Sequence, residues 1–399
     1  MNALDILAKL AESGTPPDRE SALGMSVGLE KAIKRFEDET LPFAAEGGAE
    51  LRFVFAPYGR GKTHLLWALQ EVARTKGFVT AYIDCNSGQS PFASAQKTYQ
   101  IIANNMLPPG QEIGVQAIMG SDAVIHEAIL STGNAGAKQK YYDIYRDARL
   151  ACDFRNLVAA YGRLVLSGKE REQLGTGLRA LLRADSSYPI RVSDIYRDEK
   201  WLPRPIGKLV RRNAAAWVRS LSSLPIALGY PGFVLFFDET EQTLSLQAMS
   251  RKNRQIHLAN LRNLVDHLAI GSFHGCIIYY AVVEELLEIA KRELDALRQR
   301  LERVRFVEGI KLRNPRAVWV NLDELTEPTP EEEGFFDELG NRILKIGLAA
   351  GLPSNFALEI KKTLEGLSDR YSNSISGGAV REFVKAAASH VAHGVKQNA

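Results

Sequence analysis

Three observations predict an α/β fold with a parallel five-stranded sheet, an α-helical insertion and a closing set of C-terminal helices. A short apolar run, Leu51-Arg52-Phe53-Val54-Phe55, leads through a glycine-bearing loop, Ala56-Pro57-Tyr58-Gly59-Arg60-Gly61-Lys62-Thr63, into a helical stripe. A second run, Phe233 to Phe237, is apolar at every position and ends on Asp238-Glu239, as a strand buried on both faces of a parallel sheet would. Between the two runs, residues 110–228 carry helical periodicity and few strand signals. The reading divides the chain into N-terminal helices with the loop-bearing half of the core (1–109), an all-α insertion (110–228), the second half of the core (229–322) and a C-terminal helical lid (323–399).

In chain order, Leu4, Leu7, Ala8 and Ala11 form a first helical stripe that Gly14-Thr15-Pro16-Pro17 stops. Met1 to Leu10 carries Asp5 and Lys9, so it reads as an amphipathic helix rather than a signal peptide. Leu29, Ala32, Ile33 and Phe36 form a second stripe. Ahead of it, in Ser26-Val27-Gly28-Leu29-Glu30, Leu29 stands where chains of this layout often carry an arginine; an ordinary packing helix is the other reading.

The loop and the helix after it fit phosphate binding. Leu65, Ala68, Leu69 and Val72 recur at i, i+3, i+4, i+7, so the loop sits between a strand and a helix, as a phosphate-binding loop must. Gly59 and Gly61 free the backbone to turn successive N–H groups inward. The helix N-terminus adds positive potential. Lys62 would reach the β- and γ-phosphates, and the Thr63 hydroxyl would ligate Mg²⁺. Ala56 through His64 are the candidate nucleotide contacts; Ala56 stands where G-x-x-x-x-G-K-[ST] has its first glycine.

After that helix, Gly77 is the expected C-cap and Phe78 to Asp84 the next strand. In the insertion, Lys208, Arg211, Arg212 and Arg219 fall at helical spacing with Trp201 and Trp217 nearby. This suggests a phosphate-backbone contact to DNA, a contact to a neighbouring subunit, or a plain solvated face. Asp238 and Glu239 then sit at the carboxyl edge of the sheet, where ligands of open α/β folds bind. Asp238 would hold Mg²⁺ with Thr63, and Glu239 would polarise the attacking water. His274 to Ala281 reads as a further strand, followed by Val282-Val283 where related ATPases place a polar residue beside the γ-phosphate; Tyr280 is a candidate substitute. Arg298, Arg300 and Arg303 end an arginine-rich helical stretch and include a candidate finger for a neighbouring subunit. Ala317 to Leu322 is the last expected strand, and the acidic stretch Asp323 to Glu338 a linker or a solvated helix start. Arg381, in the first turn of a late helix, would close the lid on the nucleotide.

Composition sets outer bounds. The formal net charge of +3 is too small to argue nucleic-acid binding from the total, so any such surface is local. Three widely spaced cysteines, Cys85, Cys152 and Cys276, make neither a disulfide framework nor a zinc site. No apolar run approaches the ~20 residues that span a bilayer, and the expectation is a cytoplasmic protein without membrane contact.

With these residues in view, the chain resembles the BrxD-type ATP-binding family of BREX phage-defence islands, related to the origin-recognition branch of AAA+ proteins. The likeness runs through Glu12-Ser13-Gly14-Thr15-Pro16-Pro17, Pro57 to Leu65, Trp201-Leu202, Leu228-Gly229-Tyr230-Pro231-Gly232 with Asp238-Glu239-Thr240-Glu241, Ala296 to Arg300, and Val380-Arg381-Glu382-Phe383. It departs at Ala56, Leu29 and Val282-Val283. The resemblance implies a nucleoside triphosphatase of the AAA+ type that works on DNA or with a protein partner of a defence system; the site residues call for ATP and Mg²⁺, and an arginine acting in trans calls for a homo-oligomer. A nucleotide-gated binding module with little turnover is the alternative.

Overall fold

The computed structural model describes residues 1–56, 60–85, 91–111, 117–131, 133–188, 191–198, 201–238, 250–282, 288–289, 292–293, 317–323, 325–372 and 378–397. Its strands are β1 (Ala49–Phe55), β2 (Val79–Asp84), β3 (Met106–Leu107), β4 (Phe233–Asp238), β5 (Cys276–Val282) and β6 (Ala317–Asn321). They form one sheet in the order β3-β2-β4-β5-β1-β6. Strands β2, β4 and β5 are parallel, with Val79 opposite Phe233 and Phe233 opposite Cys276. The N–H groups of Gly275 and Cys276 donate to the carbonyls of Gly47 and Gly48, so β5 and β1 start side by side and run the same way. At the other end of β1, the Leu322 N–H donates to the Phe55 carbonyl at 3.0 Å.

The sheet corrects the sequence reading in one respect. It has six strands rather than five and is mixed, because β3 pairs antiparallel with β2. Only Met106 and Leu107 take part, between a helix ending at Asn105 and Pro108-Pro109. Two residues are too few to show the alternation that marks a strand, and proline lacks the N–H needed to extend the ladder.

By internal contacts the chain forms two compact units: Met1–Glu37 with Phe55–Val72 and Val320–Ala399, and Asp38–Val54 with Ala73–Trp319. The larger unit is built on the sheet. Every residue of β4 and β5 is buried, which explains their unbroken apolar runs. Phe92 packs its ring against Phe237 and Tyr280 at 5.3 and 5.4 Å between centroids, and Phe53 meets Tyr280 at 5.6 Å. At the start of β5, Gly275 takes φ +61°, and an added Cβ would lie 1.9 Å from Ile226 Cδ1. The described residues between 121 and 227 carry helices and no strand, from Ser121–Leu130 to Ala214–Ala227. Trp217 anchors them, fully buried against Tyr99 and Phe154.

The smaller unit joins the two ends of the chain. The helix Ala3–Ser13 is capped by the Asn2 side chain, which accepts from the Asp5 N–H, and by Gly14 in the left-handed region. Its Leu7 and Leu10 share one core with Phe336, Leu339, Ile343, Phe383 and Val391, from the helices Phe335–Ala349 and Ala379–Gln397. Among the described residues no helix is long and apolar enough to cross a membrane.

Candidate functional site

The loop half is built on the end of β1. Ala56 is 2% exposed, so its methyl is packed in the interior. Pro57, Tyr58 and Gly59 lie outside the described residues. Gly61 takes φ +91°, and an added Cβ would meet nothing within 4 Å. Glycine is favoured there by backbone conformation rather than by crowding from the described residues. The helix Lys62–Thr75 starts immediately after, leaving its first N–H groups without intrahelical partners. Lys62 is only 5% exposed, and its ammonium donates to the Ala56 carbonyl at 2.8 Å. The lysine therefore lies back across the loop it opens.

The other loop residues divide. Thr63 is half-buried. Arg60 turns to the acidic stretch, 3.5 Å from Asp323 and 2.5 Å from Glu331. His64 points into the N-terminal segment, 3.0 Å from the Ser26 hydroxyl. Because that hydroxyl donates to the Ala22 carbonyl, the imidazole Nε2 is assigned as the donor. The residue keeps part of its surface, but its ring is shielded: desolvation first, then the charge of Arg342, pushes the imidazole down to about 4. His64 is therefore neutral near pH 7 and acts as a hydrogen-bond tie.

Arg342 had no signal in the sequence beyond being one cation on a helix. It pairs with Glu30 and Glu338 and donates to the Gly24 carbonyl, and so braces the segment in which Ser26 and Leu29 sit. Leu29, in place of the expected arginine, is a buried core residue. Arg381 lies in the first turn of Ala379–Gln397 and is exposed, and its Cγ and carbonyl press on Gly14 at the end of the first helix.

The carboxylate half is carried by β4. Asp238 is its last residue, 2% exposed and opposite Asp84 of β2. A buried carboxylate is costly without a hydrogen-bond partner, and the Tyr82 hydroxyl donates to Asp238 Oδ2. That partner was not foreseen: a tyrosine inside Val-Thr-Ala-Tyr-Ile looks like an ordinary strand residue, and only the parallel register reveals it. Glu239, Glu241, Val283, Arg298, Arg300 and Arg303 lie outside the described residues. Val282 ends β5 fully buried. Tyr280 is almost fully buried with its ring in the Phe53–Phe92–Phe237 cluster, so the suggested substitute for a polar residue there is a core side chain.

The basic surface of the insertion differs from its reading. Lys208, Arg211 and Arg212 are exposed but not helical, and the helix starts only at Ala214. Asn213 closes a turn instead, accepting from the Val210 N–H and donating to the Lys208 carbonyl and to Asp153. Spacing alone counted these residues onto one helical face, while residues 205–210, after Pro203 and Pro205, carry no helix. Arg219 is helical and half-buried. Trp217, fully buried and donating to Asp153 at 3.1 Å, is not available to stack on a base.

A loop whose lysine opens a helix directly after a parallel strand, with a buried aspartate ending another strand of the same sheet, defines an α/β nucleotide-binding protein of the phosphate-loop kind. The chain belongs to the BREX system ATP-binding protein BrxC/D family, whose family model matches residues 3–121 and 206–385. The match includes the loop, the basic turn and β4, and leaves out 122–205 within the helical stretch. No curated protein and no solved structure gives a match.

Proposed function

We propose that this protein is an AAA+-type ATPase of bacterial phage defence, binding ATP with Mg²⁺ and hydrolysing it while acting on DNA or with a DNA-processing partner. The observation that carries this is Lys62, buried and laid across its own loop next to a left-handed Gly61. Family membership supports the ATP and the defence setting. The donor set fits the ligand: amides and an ammonium for the phosphates, and a hydroxyl with a carboxylate for a hard cation.

The roles follow from the residue types. Gly59, Gly61, Lys62 and Thr63 cradle the phosphates. Thr63 and Asp238 would hold the magnesium, which when bound would neutralise phosphate charge. The Tyr82 hydrogen bond orients Asp238. Glu239 aligns the attacking water. One of Arg298, Arg300 and Arg303 acts on the nucleotide of a neighbouring copy in a homo-oligomer, and Arg381 closes from the C-terminal helices. Lys208, Arg211, Arg212 and Arg219 supply a phosphate-backbone contact to DNA, and the protein works in the cytoplasm.

One observation favours a second reading, a nucleotide-gated binding module with little turnover. Buried Val282 ends β5 where a polar side chain would touch the γ-phosphate, and valine has no hydrogen-bonding group to offer. Phosphate release measured with and without duplex DNA separates the two. The ATPase reading expects slow release that rises at least severalfold with DNA. Release at the buffer background in both, despite tight ATP binding, would establish the gated module instead.

A further inference from the structure

The acidic stretch after β6 was expected to be a linker or a solvated helix start, and a helix does begin at Phe335; what precedes it is no loose linker. It is instead a strap fixed at several points to the smaller unit. It leaves β6 with the Leu322 N–H on the Phe55 carbonyl. Further along, the Glu327 N–H donates to the Gly28 carbonyl at 2.8 Å. Gly28 has φ +76°, and an added Cβ would come within 2.5 Å of the Pro328 carbonyl oxygen, so the strap lies directly on the backbone there. Lys31 pairs with Glu327 at 2.8 Å, with both side chains largely exposed.

The remaining tie is of another kind. Arg60, inside the phosphate loop, reaches the strap through Asp323 and Glu331. Partial burial alone would raise the Glu331 carboxyl, but Arg60, together with hydrogen bonds from the residue's own backbone and from Thr329, leaves that carboxyl below its ordinary value. The other ties of the strap are backbone hydrogen bonds or involve Lys31 outside the loop. Only this pair of side-chain contacts joins it to the loop among the described residues.

A guanidinium binds carboxylate and phosphate oxygens with the same fork of donors. A triphosphate offers more negative charge than either carboxylate, and part-exposed ion pairs hold weakly. We propose that Asp323 and Glu331 compete with a bound nucleoside triphosphate for Arg60, so that filling the loop loosens the strap leading into the C-terminal helices. Asp323 and Glu331 are then positioning residues that act through Arg60. The proposal rests on the phosphate-loop reading given above.

The test uses the full chain with Mg²⁺ and a non-hydrolysable ATP analogue at low salt. Asp323→Asn with Glu331→Gln frees Arg60 and raises affinity for the analogue about fivefold. The same pair of changes in an Arg60→Ala background gives no gain. Hydrogen exchange of the strap amides from 325 to 333 speeds up when the analogue binds the unaltered chain, and is already fast and indifferent to the analogue in the double variant. Unaltered affinity and exchange in the double variant, with Lys62→Ala abolishing binding, would overturn the strap proposal alone. Lys62→Ala binding as well as the unaltered chain would overturn the phosphate-loop reading and the strap with it.

Discussion

Lys62→Ala abolishes ATP binding at micromolar protein, with affinity falling at least about 100-fold, or about 2.7 kcal/mol. The magnitude follows from what is lost: a full positive charge making charge-assisted hydrogen bonds in a largely dry position. The structure adds a second contribution. Lys62 also donates to the Ala56 carbonyl across the loop, so its removal leaves that buried acceptor one donor short. The measurement is calorimetric titration with ATP and Mg²⁺, with a melting curve to show that the variant is folded. An affinity equal to that of the unaltered chain would remove the phosphate assignment.

Glu239→Gln keeps ATP binding and slows hydrolysis by about 10²- to 10⁴-fold, the range a positioned general base contributes. The side chain stays the same size and loses only its charge, so binding by the loop is spared. Single-turnover phosphate release with ATP prebound separates this from any change in affinity. Unchanged turnover would transfer the role to Glu241 or to another group.

The parts of the fold that were legible in the sequence are those where one local pattern decides the structure. The apolar run at Phe233–Phe237, ended by two carboxylates, pointed to a strand buried on both faces, and it is β4. Glycine followed by Lys62-Thr63 and a helical stripe fixed the start of the Lys62–Thr75 helix. What stayed hidden depends on contacts between distant segments. Nothing local ties Tyr82 to Asp238, His64 to Ser26, or Arg342 to Glu30, because periodicity reports which face is buried and not what covers it. The packing of the first helix on the last one is of the same kind.

Two misreadings have a shared cause. Counting residues at helical spacing put Lys208, Arg211 and Arg212 on a helix, and the acidic, proline-bearing stretch Asp323 to Glu338 reads as a linker or a solvated helix start, of which the helix start holds from Phe335 and the linker does not. In both cases hydrogen bonds to backbone carbonyls decide the outcome. Asn213 ties the basic turn to the Lys208 carbonyl, and the Glu327 N–H ties the strap to Gly28. A side chain's charge says little about where its backbone is anchored.

The central claim is that Lys62 and Asp238 serve one ATP and its magnesium. A crystal structure of the protein with a non-hydrolysable ATP analogue and Mg²⁺ tests it most directly. The account predicts the Lys62 ammonium on the β- and γ-phosphate oxygens, and the metal held by the Thr63 hydroxyl and, directly or through one water, by Asp238. A triphosphate bound away from Gly61, or one at the loop with Asp238 facing another surface, would contradict it.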